Sequence, residues 1–186
     1  MHIGDLVDNH AISFHDTDPN GMSAEDEIAK SVKTLRKWYR AFPKARLCKG
    51  NHDVLVKRKG RSQGLPRRVL RDFRDIWEMP RGWEIDWNHY VCGVRYQHGT
   101  GYSGKYPHLN LAIVNRQPTV IGHCHSVSGL EFSANDKDMI FGMSVGCGID
   151  RNQYTFFYGK DFKFKPILSC GVVIEGKYPY LIPMNL

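Results

Sequence analysis

A chain of 186 residues that is 41% hydrophobic can bury a substantial core within one domain, yet no apolar run approaches the ~20 residues of a membrane-spanning helix. The N-terminus has no charged-then-apolar leader and the five cysteines show no C-x-x-C spacing. The expectation is therefore a cytoplasmic protein with buried thiols rather than a secreted or disulfide-framework one. The net charge of +7 is moderate, so where the basic residues stand says more than their total.

Residues 2–7 read as the end of a strand, and residues 10–21, rich in Asp, Asn and Pro, as loop. Ser23 reads as an N-cap with Glu25, Asp26 and Glu27 in the first turn, where the helix dipole favours acids. Ile28, Val32, Leu35, Tyr39 and Phe42 follow at helical spacing until Pro43 stops them. A short strand is predicted at residues 45–49. Pro66 marks a second predicted helix with Val69, Leu70, Phe73, Ile76 and Trp77 on its apolar face. Trp83, Ile85 and Trp87 alternate as a strand, and residues 90–97 form another that ends at His98. The glycine-rich stretch 99–105 lacks the strand-to-helix context of a phosphate loop. Residues 109–114 read as helical and lead into the strand before Gly122. Strands are then predicted at residues 131–132, 139–145, 154–158, 168–174 and 178–182. The pattern is mixed α/β in a single domain spanning residues 1–186, with a β-rich C-terminal half.

Three short motifs each follow an apolar run: Gly4-Asp5-Leu6-Val7-Asp8, Gly50-Asn51-His52-Asp53 and Gly122-His123-Cys124-His125, with His98-Gly99 between the last two. In open α/β sheets ligands collect in the crevice beyond the carboxyl ends of strands. A carboxylate, a side-chain amide and several imidazoles suit a borderline divalent ion such as Mn²⁺, Fe²⁺ or Zn²⁺. Cys124 stands between two candidate ligands, and alternation along an extended segment turns it away from them.

In these motifs the chain resembles the calcineurin-like metallophosphoesterases, whose series is D-x-H, G-D-x-x-D, G-N-H-[DE], H and G-H-x-H. The last four stand between Gly4 and His125, and the first is absent. The resemblance implies an α/β/β/α sandwich of mixed sheets that lacks the first strand and helix. That loss would leave an exposed sheet edge, which favours a homo-oligomer. It also implies a metal site of Asp5, Asn51, His98 and His123, with Asp5 bridging to a second site that includes His125. Mn²⁺ is the first expectation, with Fe, Zn or Ni as alternatives. Because Asp5 and His125 are only two protein ligands, the second ion is expected to be weak or absent, unless His10, His15 or another chain replaces the missing pair. His52 would protonate the leaving oxygen and Asp8 would orient it, as a paired acid keeps an imidazole protonated near neutral pH.

The protein phosphatase branch has an arginine after the second Asp of G-D-x-x-D, which suits a phosphomonoester dianion. Here that residue is Asn9, which favours phosphodiesters. Lys57, Arg58, Lys59 and Arg61 open a basic cluster that starts four residues after the G-N-H-D turn and suits a polyanionic substrate. The expected function is a metal-dependent phosphodiesterase acting on nucleic acid or nucleotides. The alternatives are a phosphomonoesterase on the same scaffold, or a non-catalytic nucleic-acid-binding or structural module.

Overall fold

The run that ends at Cys48 forms strand β1 (Ala45–Cys48), whose Leu47 and Cys48 are wholly buried. β1 pairs in parallel with β2 (Trp83–Asp86). On its other side His2 makes an isolated parallel bridge to Leu47. Its N–H donates to the Arg46 carbonyl at 2.8 Å, and its own carbonyl accepts from Cys48 at 2.9 Å. The predicted strand at residues 2–7 is thus a single bridge, because the chain turns away at Gly4 and Asp5 with φ of 94° and 50°. This computed structural model describes residues 1–149 and 163–184, so the strand predicted at residues 154–158 lies outside the described residues. The chain divides into two compact units: Met1–Asp86 in the first, and residues 87–149 and 163–184 in the second.

In the first unit, helix α1 (Ala24–Ala41) begins where the sequence predicts. Ser23 Oγ accepts from the Asp26 N–H at 3.2 Å, and the helix stops at Phe42, before Pro43. Its Leu35 packs with Val7 and Trp77, while Leu47, Met79 and Trp83 form the adjoining part of the core. Fully burying side chains of this size is worth about 1.5–3 kcal/mol each, so packing rather than helix propensity holds α1. The polar atoms of the large aromatics are committed as well: Trp83 Nε1 donates to the Phe42 carbonyl at 2.7 Å and Tyr39 Oη to the Trp77 carbonyl at 2.9 Å. Burial, reinforced by the nearby Glu78 charge, pushes the Tyr39 hydroxyl up to about 12.

The helix predicted from Pro66 is a correction. Helix α2 (Leu55–Ser62) comes earlier, directly after the G-N-H-D turn. Pro66 instead caps a 3-10 turn, Arg67–Val69. The chain then extends at Leu70, and only one helical turn, α3 (Phe73–Ile76), follows. The Arg74 guanidinium draws in the next segment, donating to the carbonyls of Met79, Pro80 and Trp83 at 3.3, 2.7 and 2.6 Å. Those contacts favour a compact wrap over helix continuation.

In the second unit, the strand predicted at residues 90–97 is a hairpin: β3 (Asn88–Val91) and β4 (Val94–Gln97) run antiparallel. The two residues between them, Cys92 and Gly93, both have positive φ, 49° and 78°, which matches the twist of a tight hairpin. Cysteine carries no turn signal, so the break is not visible in the sequence. Helix α4 (Pro107–Asn115) then crosses to β5 (Thr119–Ile121), parallel to β4. Strands β6 (Ser128–Ala134) and β7 (Met139–Val145) complete a five-stranded mixed sheet in the order β3-β4-β5-β7-β6. Gly142 of β7 has no room for a Cβ because the His108 carbonyl of α4 lies against it. His108 is buried and pairs through Nε2 with Glu131, a packing role consistent with its matching no motif.

Strands β8 (Ser169–Ile174) and β9 (Tyr178–Pro183) pair antiparallel. Val172, Ile174, Tyr178, Tyr180 and Ile182 on this hairpin are exposed. Among the described residues no helix is long and apolar enough to cross a membrane.

All five thiols are free, but they are not uniformly buried as the sequence suggests: Cys92 and Cys170 are exposed and Cys124 is partly so. Burial pushes the Cys48 thiol up to about 12, which suppresses the reactive thiolate. Under native conditions a thiol reagent should therefore label Cys92 and Cys170 and spare Cys48 and Cys147 until the chain is denatured. Mass spectrometry of the labelled peptides checks this; native labelling of Cys48 as fast as Cys92 would contradict the packing of β1.

Candidate functional site

Two turns of the first unit are joined through one carboxylate. Asp53, 4% exposed, accepts the Asp5 and Gly50 N–H groups on Oδ2 at 2.9 and 2.8 Å, and the Leu6 N–H on Oδ1 at 2.9 Å. In return Asp5 Oδ1 accepts the His52 N–H at 2.9 Å. The approach is so close that a Cβ at Gly50 would fall on the backbone and carboxylate of Asp5. Asp5 and His52 are thus brought together, with Asn51 in the turn between Gly50 and His52.

His52 Nδ1 lies 2.6 Å from the Asp8 carbonyl oxygen and 3.2 Å from its carboxylate Oδ1. Both neighbours are acceptors, so Nδ1 carries a proton and donates it to Asp8. Nε2 is then the nitrogen that can exchange a proton with a substrate. Burial alone would lower the imidazole pKa. The Asp8 hydrogen bond and the negative charges of Asp5 and Asp8 outweigh it and push the pKa up to about 9. The expected Asp8–His52 pair is therefore present as a contact.

Two residues without an assigned role in the sequence prove important here. Asp53 is the last residue of the G-N-H-D motif, and its position there was the available signal. Asn9 is buried in the left-handed region at φ 55°, and its Nδ2 donates to the His52 carbonyl at 3.0 Å. Asparagine is one of the few non-glycine types that tolerates this conformation. The replacement-ligand expectation for His10 meets an obstacle: its ring is buried and its Nε2 accepts the Asp18 N–H at 3.2 Å, closing the loop. His15 is exposed in that loop.

The basic residues separate by partner. Lys57 Nζ is 2.6 Å from Asp72, and this contact holds the Asp72 carboxyl below its usual value. Arg58 and Lys59 lie over the Phe14 ring at 5.1 and 4.4 Å from its centroid, and Arg61 is exposed.

In the second unit, the parallel pairing of β4 with β5 aligns Arg95 with Thr119 and Tyr96 with Val120. Two residues on, the Gly122 N–H donates to the His98 carbonyl at 3.1 Å, so His98 and His123 emerge together at the carboxyl ends of adjacent strands. His98 Nε2 and His123 Nδ1 are 3.1 Å apart. Two nitrogens each about 2.1 Å from one ion, at an angle of roughly 90–110°, stand about 3.0–3.4 Å apart. The pair therefore has the spacing of two cis ligands and the chemistry of a borderline divalent metal. His123 is left-handed at φ 64°, a conformation costly for histidine that clusters at functional positions. Cys124 Sγ donates to the Tyr102 carbonyl at 3.3 Å, while the His125 carbonyl accepts from Ile167 at 2.8 Å.

Replacing Asp53 by Asn should destabilise the protein by roughly 2–4 kcal/mol, because the amide NH₂ would oppose backbone donors that need an acceptor. Urea unfolding of D53N measures it, and a loss below about 0.5 kcal/mol would show that the two turns hold without this carboxylate.

No family model matches this chain, and no curated protein matches it.

Proposed function

We propose that this protein is a metal-dependent phosphodiesterase whose metal-ligating residues are Asp5, Asn51, His98 and His123. The single observation that carries the reading is the His52–Asp8 contact, in which Nδ1 is committed to Asp8 and Nε2 is left to act on a leaving group. A binding module has no need of such a pair. The cis-ligand spacing of His98 and His123 supports the metal assignment, and the order of the G-D-x-x-D, G-N-H-D, H and G-H-x-H motifs supports the grouping. The α/β/β/α sandwich belongs to the same proposal.

When bound, the metal would supply Lewis-acid activation of water and of the phosphoryl oxygens. The chain's own residues do the rest. Asp53 holds Asp5 and the Gly50 turn in register, and the His52 N–H holds the Asp5 carboxylate, so that carboxylate is set before any ligand arrives. Asp8 fixes the His52 ring and favours its protonated form, and Asn9 holds the His52 backbone. His52 then gives its Nε2 proton to the departing oxygen, which becomes an alcohol. Asn9 cannot clamp a dianion as arginine would, and its amide is already given to the His52 carbonyl, which favours a diester over a monoester. We assign His125 to a second and weaker metal position.

His123→Ala should lower the tightly held divalent metal well below that of the parent, as read by elemental analysis of the purified protein. Full metal retention would refute the ligand set. His52→Ala should keep its metal while turnover falls about 10²–10⁴-fold on a dinucleotide, whose leaving group needs a proton. The loss should be much smaller on an aryl diester with a nitrophenolate leaving group. Equal losses on the two substrates would remove His52 from the proton-donating role.

A further inference from the structure

The loop after the first motif places Phe14 at the surface, half of it exposed to solvent, with Arg58 and Lys59 of α2 over its ring. Packing explains this ring only in part, since a phenyl group left half in water gives up about half of the stabilisation that full burial supplies. The cations alone do not explain it either, because an exposed cation–π contact is worth only about 0.5–1 kcal/mol. The surrounding charge is lopsided. On α2 and the 3-10 turn that packs against it stand Arg58, Lys59, Arg61, Arg67 and Arg68, while the nearby Asp72 is already held by Lys57. A ring half in solvent with two cations beside it and further arginines nearby has the composition of a surface that stacks a base and binds its phosphates.

We infer that Phe14, with Arg58, Lys59 and Arg61, forms a platform for single-stranded nucleic acid. The bases of a duplex are stacked on one another and cannot reach a side-chain ring, so the platform selects single strands. α2 starts from the G-N-H-D turn, since the Leu55 N–H donates to the His52 carbonyl at 3.0 Å, so the platform is built onto the element that follows His52. The inference rests on the phosphodiesterase reading for what becomes of the bound strand; binding itself can be tested apart from it.

Fluorescence anisotropy with a labelled oligothymidine 15-mer, and with the duplex of the same length, measures the platform in EDTA, where metal-dependent cleavage is silent. The parent protein should bind the single strand more tightly. Phe14→Ala should weaken that binding roughly 5- to 50-fold, and Phe14→Trp should preserve it, because stacking needs a ring and not phenylalanine in particular. The double change Arg58→Gln with Lys59→Gln should flatten the salt dependence by about 1.4 in log–log slope, the loss of two phosphate contacts. Preference for duplex, unchanged affinity in Phe14→Ala, or equal loss in Phe14→Ala and Phe14→Trp would each overturn the platform. If aryl diesters are cleaved but no single strand binds, the platform fails and the hydrolase reading stands. If the strand binds through Phe14 but no diester is cleaved with any divalent metal, the hydrolase reading fails and the platform stands.

Discussion

Three backbone donors converge on the carboxylate of Asp53, and the candidate chemistry of the first unit depends on that convergence. Asp5, Leu6 and Gly50 belong to segments separated by more than forty residues, and no strand ladder joins them at this point. A buried carboxylate is costly to desolvate unless its oxygens are satisfied, and hydrogen bonds to a charged acceptor are each worth about 1.5–3 kcal/mol. The same geometry forces glycine at position 50, because the backbone of the second turn passes against Asp5 with no space for a side chain. Packing brings the segments near through the Leu47 and Val7 clusters, and Asp53 then sets their register at the scale of single hydrogen bonds.

The second unit reaches a similar result through regular structure. Adjacent parallel strands place their carboxyl ends side by side, and the crossover through α4 makes β4 and β5 parallel. His98 and His123 are therefore neighbours by topology, with the Gly122 to His98 hydrogen bond fixing their level. Gly142 contributes from a distance by letting α4 sit directly on β7. The contrast is physical: one cluster is held by a buried carboxylate that gathers backbone donors from distant segments, the other by strand register.

How much of this was legible follows the range of the interactions involved. Ser23, the acids after it and Pro43 act within a turn of their own positions, and α1 appears where they put it. The region after Pro66 was misread because its apolar residues have helical spacing, while its path is set by Arg74 reaching three carbonyls beyond the helix. Nothing in a local window reports that contact. The hairpin at Cys92 and Gly93 was hidden for a different reason: the turn needs two left-handed residues, and only glycine advertises one. Among the candidate site residues, a glycine next to a ligand type was readable at Asp5, Asn51, His98 and His123. The structural use of Asn9 and Asp53 was not, since each acts on a segment far away in sequence.

Backbone strain is shared between these positions and ordinary turns, and what differs is the hydrogen bonding around it. Outside glycine, φ is positive at seven described residues. Arg116 closes α4, Cys92 and Glu175 turn hairpins, and Glu78 follows α3, all places where a chain reverses for structural reasons. Asp5, Asn9 and His123 are different, because each carries or supports a candidate ligand or proton donor. Such residues cost of order 1–3 kcal/mol each and persist only when their surroundings over-determine them. The over-determination is visible: Asp53 grips the Asp5 N–H, Asn9 is fastened to His52 through its own side chain, and His123 is flanked by the Gly122 and Cys124 hydrogen bonds. The hydrogen bonds at Asp5, Asn9 and His123 thus fix the backbone at three positions that local sequence preference alone would leave strained.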